Sequence, residues 1–297
     1  MSRVSGQSKN PHTCYIPQAK EKRVEKRITR EFLEDLWRRH HRLSNLSPDP
    51  LVFARGYGDP LEGETAGLIA AVFAYGQVEQ IMKALGFVFE RLGSSPRKTI
   101  LSSSPKEFTT LCEGFYYRFH KAPDLALFLH LLAQALEKNK SLKELFIKNL
   151  SEDIGADIAA FCGEILSGDC RPLLNAKELP LRHPVRFLLS SPSSGGAGKR
   201  LCLFLRWMAR KDELDPGYWQ GALPPSSLVV PLDVHVARVG KFMGLTSRKG
   251  SGWKTAVEIT ESLRRFDPGD PLRYDFSLFR YGMKEFKRAF PAEFSPS

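Results

Sequence analysis

Apolar residues recur three and four positions apart along most of this 297-residue chain, and no stretch alternates long enough to build a substantial sheet. That spacing stacks apolar side chains on one face of a helix. The chain is therefore constrained to an all-α architecture whose helix faces bury one another. Val24, Ile28, Phe32, Leu33 and Leu36 predict a helix over 20–40. Two helices, or one kinked pair, are predicted within 64–92, broken at Gly76-Gln77 and packed through Ala70, Ala71 and Ala74. Further helices are expected near 105–119, 124–137, 141–149 and 152–166, the last opened by Ser151, Asp153 and Asp157. His183-Pro184 starts a short one. Helices over 199–210, 233–243 and 252–266 follow, with a last group over 272–289.

This pattern divides the chain into four parts. Residues 1–19 read as a flexible N-terminal segment. Residues 20–62 read as a helix and connector packing with the C-terminal part, and 63–180 as a central helical subdomain. Residues 181–297 hold a hairpin-like turn, an aspartate-bearing helix and the closing helices.

With 42% hydrophobic and 26% charged residues the composition is globular rather than disordered. The richest apolar run, 125–136, contains His130 and is too short to span a bilayer. No apolar core marks the N-terminus as a secretory signal. Cys14, Cys112, Cys162, Cys170 and Cys202 are scattered, with no CxxC, which fits a reducing, cytoplasmic setting. A zinc finger or four-cysteine cluster is excluded, and neither a metal nor a cofactor is expected. Net charge is +6 over 1–42, −3 over 43–180 and +8 over 181–297. Positive ends around a slightly negative middle fit a protein with one face turned to a polyanion.

Residues 191–198, SPSSGGAG, form a permissive turn ahead of a helix. Backbone N–H groups in such a turn, and at the helix start, approach anions closely. Gly195, Gly196, Gly198 and Arg200 are therefore candidate phosphate contacts. The GxxxxGK[ST] pattern is not met, since Arg200 follows Lys199, so a nucleoside triphosphate is not the expected ligand. Lys199 stands at the positive end of the helix beside Arg200. Two roles are open to it: an amine nucleophile toward a carbonyl or sugar C1′, or a point charge on a phosphate. Leu201, Phe204, Leu205 and Met208 mark the buried stripe of its helix.

In LVVPLDVHVARVGKFMGL (228–245), Pro231 fixes a bend, Asp233 is placed to cap the next helix, and Gly244 ends it. A capping carboxylate at a cleft mouth also stabilises a cation developing on a nucleoside C1′. His235 is placed to bond Asp233 or a phosphate, or is satisfied locally. From Arg238 through Trp253 there is no acidic residue. Arg238, Lys241, Arg248, Lys249 and Lys254 are thus a second set of phosphate contacts, with strong salt dependence expected. Tyr75, Trp207 and Phe279 are either core or stacking walls for an extruded base. Asp275 faces either the cleft or only its own helix.

PLDVHV (231–236) resembles the proline–x–aspartate–x–histidine–valine segment of helix-hairpin-helix DNA glycosylases, in which the aspartate is essential and caps a helix. SSGGAGK (193–199) resembles their hairpin and the lysine that forms a Schiff base in bifunctional members. The resemblance implies those roles for Lys199 and Asp233, and a strand-contacting or base-intercalating role for Gln77. It also implies an all-α fold of two helical subdomains flanking a cleft. Over most of 20–290 the chain is more similar still to the DUF2400 family of bacterial proteins, through AGLIAAVFAYGQVEQI (66–81), KRLCLFLRWMARKD (199–212), 228–245 and DPLRYDFSLFRYGM (270–283). The glycosylase resemblance covers roughly 180–290. Lys199 and Asp233 are 34 residues apart, farther than in the common glycosylases, with 211–230 inserted between them. In that long spacing and in a hairpin without a clean LPGVG, the chain looks nearer to the archaeal-type 8-oxoguanine glycosylase branch, and it lacks the iron–sulfur cysteines of some members.

The expected activity is removal of a damaged base from DNA, with an AP lyase step through Lys199. The expected partner is double-stranded DNA, bound by a monomer, and no membrane. Two alternatives stay open: a non-catalytic nucleic-acid-binding protein on the same scaffold, and a structural or interaction protein.

Overall fold

A computed structural model describes residues 28–148 and 150–289, and among these the chain is mostly helical. The helices are α1 (Arg30–His40), α2 (Leu51–Ala54), α3 (Pro60–Val72), α4 (Val78–Leu92), α5 (Pro96–Ser102) and α6 (Pro105–Leu111). A two-stranded hairpin, β1 (Tyr116–Tyr117) and β2 (His120–Lys121), precedes α7 (Ala122–Asn139), α8 (Leu142–Ile147) and α9 (Ile154–Leu166). The last third holds α10 (Pro184–Leu188), α11 (Lys199–Ala209), α12 (Val234–Phe242), α13 (Trp253–Arg264) and α14 (Asp275–Tyr281). A π-helical turn, Gly282–Phe286, continues α14 into Lys287–Ala289. No described helix is long and apolar enough to cross a membrane.

From Gly63 to Val72 helix α3 is buried on all sides. Asp59 accepts the Leu61 N–H and Pro60 occupies the first turn, so the start is preset. Gly63 and Gly67, one turn apart, then let neighbours approach closely. A Cβ at Gly63 would lie 2.3 Å from the Tyr218 ring, and one at Gly67 2.6 Å from Met208 Cε. α3 consequently packs chiefly on α2 and α11. The expected packing of α3 on α4 through Ala70, Ala71 and Ala74 gives way to this arrangement. The break at Gly76-Gln77 is present, with Gly76 at φ +99°.

Other boundaries shift for local reasons. The start of the 20–40 helix falls outside the described residues, and α1 is capped by Thr29. Asp153, not Ser151, caps α9; the Ser151 N–H and hydroxyl donate to Asp157 instead. The helix expected over 105–119 ends at Leu111, because 115–121 turn back as the hairpin. α5 was not anticipated.

The long connector between α11 and α12 is anchored rather than loose. Trp219 is buried, and its Nε1 donates to Glu64 Oε2 at 2.6 Å. Glu64 also accepts the Leu142 and Lys143 N–H groups at the start of α8. At the other end of the chain α1 lies on α14, where Tyr274 Oη donates to Glu34 at 2.6 Å and Arg39 meets Glu285 at 2.9 Å.

Candidate active site and adjoining basic concavity

A cavity of about 950 Å³ opens between the segments 48–50 and 74–81 on one side and α11, α12 and α14 on the other. Two of its walls are helix starts. α11 begins at Lys199 behind Gly198, which is left-handed (φ +64°) and supplies no side-chain cap. Lys199 is half-buried, lines the cavity, and has no hydrogen bond or ion pair among the described residues. α12 begins behind Asp233, whose Oδ1 accepts the N–H groups of His235 (2.9 Å) and Val236 (2.8 Å). Oδ2 has no hydrogen-bond partner among the described residues. Although 34 residues separate Lys199 from Asp233, both side chains border the same space.

Every accessory and stacking candidate reaches this cavity too: Tyr75, Gln77, Trp207, His235, Asp275 and Phe279 line it. Their settings differ. Trp207 is buried in the wall, Phe279 and Tyr75 are half-buried, and Gln77 is exposed where α4 begins. Tyr75 Oη donates to His120 Nδ1 at 2.7 Å, while His120 Nε2 donates to the Pro184 carbonyl at 3.0 Å. That pairing fixes the neutral tautomer, and burial pushes the His120 imidazole below its ordinary value. Burial also lowers His235, against the opposing pull of Asp233.

Asp275 is buried and accepts Arg206 Nη1 at 2.6 Å. Burial pushes its carboxyl up to about 6; Arg206 opposes the shift and Asp233 adds to it. Arg206 also holds Asp215, which pairs with Arg210; Arg210 in turn holds Asp212 (2.8 Å) and Asp270 (2.9 Å). This chain of charges, buried at Arg206, Arg210, Asp215 and Asp275, sits behind the cavity wall and ties the 210–216 connector to α14. Its meaning is structural: isolated buried charges are costly, so each is paired. Trp207 Nε1, Asp275 Oδ1 and Arg280 Nε nonetheless lack hydrogen-bond partners among the described residues. Each such atom costs about 1–3 kcal/mol, so this wall is not optimised for stability alone.

Sequence reading missed Asp49, Arg206, Arg280 and Lys287, which also line the cavity. Asp49 Oδ1 accepts the Leu51 N–H at 2.9 Å, and burial pushes its carboxyl up, against Arg206 and Arg280. The only signal for Arg206 was its spacing of four from Arg210 in an otherwise apolar helix. Nothing local marked Asp49.

Gly195 from the first set of expected phosphate contacts and Arg248, Lys249 and Lys254 from the second share a second concavity of about 550 Å³, lined also by Pro192, Gly250, Gly252, Trp253 and Thr255; Gly196, Gly198 and Lys241 do not line it. The loops touch closely: a Cβ at Gly252 would lie 3.5 Å from the Gly195 carbonyl. Gly195 (φ +89°) and Gly196 have open space around them. Lys249 and Lys254 have no ion pair among the described residues. Arg248 is paired with Glu258 at 2.7 Å, and Lys241 Nζ donates to the Lys249 carbonyl at 2.5 Å, bracing the loop. Arg238 is half-buried on α12 and does not line this concavity. Ser251 lines the main cavity while its sequence neighbours Gly250 and Gly252 line this one, so the two lie on either side of that segment.

Arg200 corrects the sequence expectation. It is 7% exposed, donates to the carbonyls of Val72 and Phe187 and to Ser190 Oγ, and lies 4.2 Å from the Phe187 ring. Its guanidinium is spent on internal acceptors and is not an exposed phosphate contact. Cys112, Cys162, Cys170 and Cys202 are buried free thiols. Among the described residues no group of three or more His, Cys, Asp or Glu is placed to hold a metal ion.

Compared with known proteins, residues 49–284 match the family model described as "Protein of unknown function (DUF2400)". No curated protein and no solved structure matches the chain.

Proposed function

The chain belongs to the DUF2400 family, and on that footing we propose that it is a DNA base-excision enzyme, an N-glycosylase with AP lyase activity through Lys199. The observation that carries this reading is the meeting of Lys199 and Asp233 on one aromatic-walled cavity. Its size lies within the roughly 300–1,000 Å³ usual for ligand pockets. In this reading α10, the 189–198 turn and α11 form the hairpin unit of a helix-hairpin-helix glycosylase-like fold.

The damaged nucleotide leaves the duplex and its base enters the cavity among Tyr75, Trp207 and Phe279. The free Oδ2 of Asp233 stabilises the positive charge that grows on C1′ as the glycosidic bond lengthens. Lys199 Nζ bonds to C1′, the C1′–N bond breaks, and the departing base keeps the electron pair and takes up a proton. Loss of the amine proton and opening of the sugar ring leave a Schiff base; loss of the C2′ proton then forms the C2′–C3′ double bond as the C3′–O bond breaks and the 3′ phosphate departs with its electron pair. Gly195, Gly196, Lys249 and Lys254 hold backbone phosphates alongside, and the enzyme acts as a monomer on double-stranded DNA. Gln77 stands at the mouth, beside the strand.

Borohydride trapping tests this directly. Duplexes carrying an abasic site or one of a panel of damaged bases should form a covalent adduct with the wild-type protein and none with Lys199→Ala. An absent adduct, or one undiminished in Lys199→Ala, refutes the lyase step. Salt-dependent binding with no base release across the panel would instead favour the non-catalytic binding protein.

A further inference from the structure

The cavity has a second neighbour that the glycosylase reading leaves unused. Strands β1 and β2 pair Tyr116 with Lys121 and Tyr117 with His120, so Arg118 and Phe119 form a two-residue tip. Arg118 takes the left-handed backbone (φ +56°) that such a tight connection requires. The inward residues weld this hairpin to the cavity rim. Tyr117 Oη donates to the Tyr75 carbonyl, and His120 links Tyr75 Oη to Pro184. Tyr75 and Gly76 both line the cavity, and a Cβ at Gly76 would lie 2.9 Å from Arg118 Nη1.

The outward residues are the reverse of what a solvent-facing hairpin needs. Phe119 is 48% exposed and Tyr116 70% exposed; on α10, Phe187 is 41% exposed. Phe119 and Phe187 are in edge contact at 5.0 Å, and each also meets Tyr75. Contiguous exposed aromatics of this kind mark a binding surface. The charge beside them names the partner. Arg118 and Lys121 have no ion pair among the described residues, and no acidic residue occurs from Phe115 through Lys121. Of the carboxylates flanking the hairpin in sequence, Glu113 is exposed with no ion pair among the described residues, and Asp124 is buried and accepts the Lys121 N–H at 2.8 Å. Exposed rings interleaved with unpaired cations on a rigid support are the chemistry of unpaired nucleobases on a phosphate strand.

We propose that the Arg118–Phe119 hairpin tip is a stacking platform for an unpaired nucleobase next to the nucleotide held in the cavity, with Arg118 on the adjoining phosphate. This rests on the nucleic-acid reading above and extends it to strand selection. The platform is built before binding, because the Tyr75–His120–Pro184 hydrogen bonds hold it, so little ordering is needed when a base arrives.

Fluorescence anisotropy with three DNAs tests it: a fully paired duplex, the same duplex with one bulged base, and a single strand. Phe119→Ala should weaken binding to the bulged duplex and the single strand by roughly 5- to 150-fold, the range of one base–aromatic stack. Affinity for the fully paired duplex should change less than about twofold, and Phe119→Trp should restore the lost affinity. Equal losses on all three DNAs, or none, overturn the platform. The wild-type arm separates the two readings. Wild-type binding and base release with no Phe119→Ala effect sink only the platform, whereas no wild-type binding to any DNA sinks both.

Discussion

Asp233 has two separable jobs, and substitution by asparagine and by alanine should pull them apart. Its Oδ1 takes two backbone N–H groups of α12, and its charge faces the positive end of that helix. Asparagine caps about as well as aspartate, whereas alanine at a cap costs about 0.5–2 kcal/mol. The lost charge–dipole attraction adds about 0.3–1 kcal/mol to either variant. Asp233→Ala should therefore lose about 1–3 kcal/mol and Asp233→Asn no more than about 1 kcal/mol. In a domain of this size 1 kcal/mol moves Tm by about 2–4 °C. Thermal unfolding should thus place the asparagine variant within about 4 °C of wild type and the alanine variant further below. Catalysis should not follow that order. Removing a carboxylate opposed to a developing cation costs roughly 10²–10³ in rate, so both variants should be equally poor in single-turnover base release. A wild-type rate in Asp233→Asn would refute the catalytic carboxylate. Equal Tm losses in the two variants would refute the cap argument.

Further outcomes follow from the same geometry. Arg200→Ala removes a buried guanidinium from three oxygen acceptors and should cost about 2–5 kcal/mol in urea unfolding. The double change Lys249→Ala and Lys254→Ala should leave stability within about 0.5 kcal/mol, yet lower the salt slope of DNA binding by about 2. Gly63→Ala, with its new methyl against the Tyr218 ring, should cost about 1–3 kcal/mol. Gly86→Ala, in α4 with open space around it, should instead stabilise by about 0.5–1 kcal/mol by the same assay. The unfolded His120 ring takes a proton near pH 6.5, while the folded ring resists it. Its contribution is present above about pH 6.5 and lost as pH falls through the lower folded pKa. The stability gap between wild type and His120→Gln should therefore narrow from pH 7.5 to pH 5.5.

By itself the sequence determined what rests on neighbours along the chain. Period and caps placed α11 and α12 within a residue or two: Gly198 and Asp233 fix their starts, and Leu201, Phe204, Leu205 and Met208 point inward as their spacing requires. Lys199 and Asp233 stood out for the same reason, as helix-start residues with chemistry attached. What only the tertiary structure decided depends on residues far apart in sequence. Arg200 reads like any cation after a glycine turn, but the carbonyls that consume it come from Val72 and Phe187. The hairpin at 116–121 exists because Tyr75 and Pro184 supply partners for Tyr117 and His120; by spacing alone, residues 116–119 read as the end of a helix. Asp49, Arg206 and Arg280 join the cavity only when α2, α11 and α14 converge. Caps and periodicity act over one or two turns of helix, while burial and charge pairing are set by whatever the rest of the fold brings alongside.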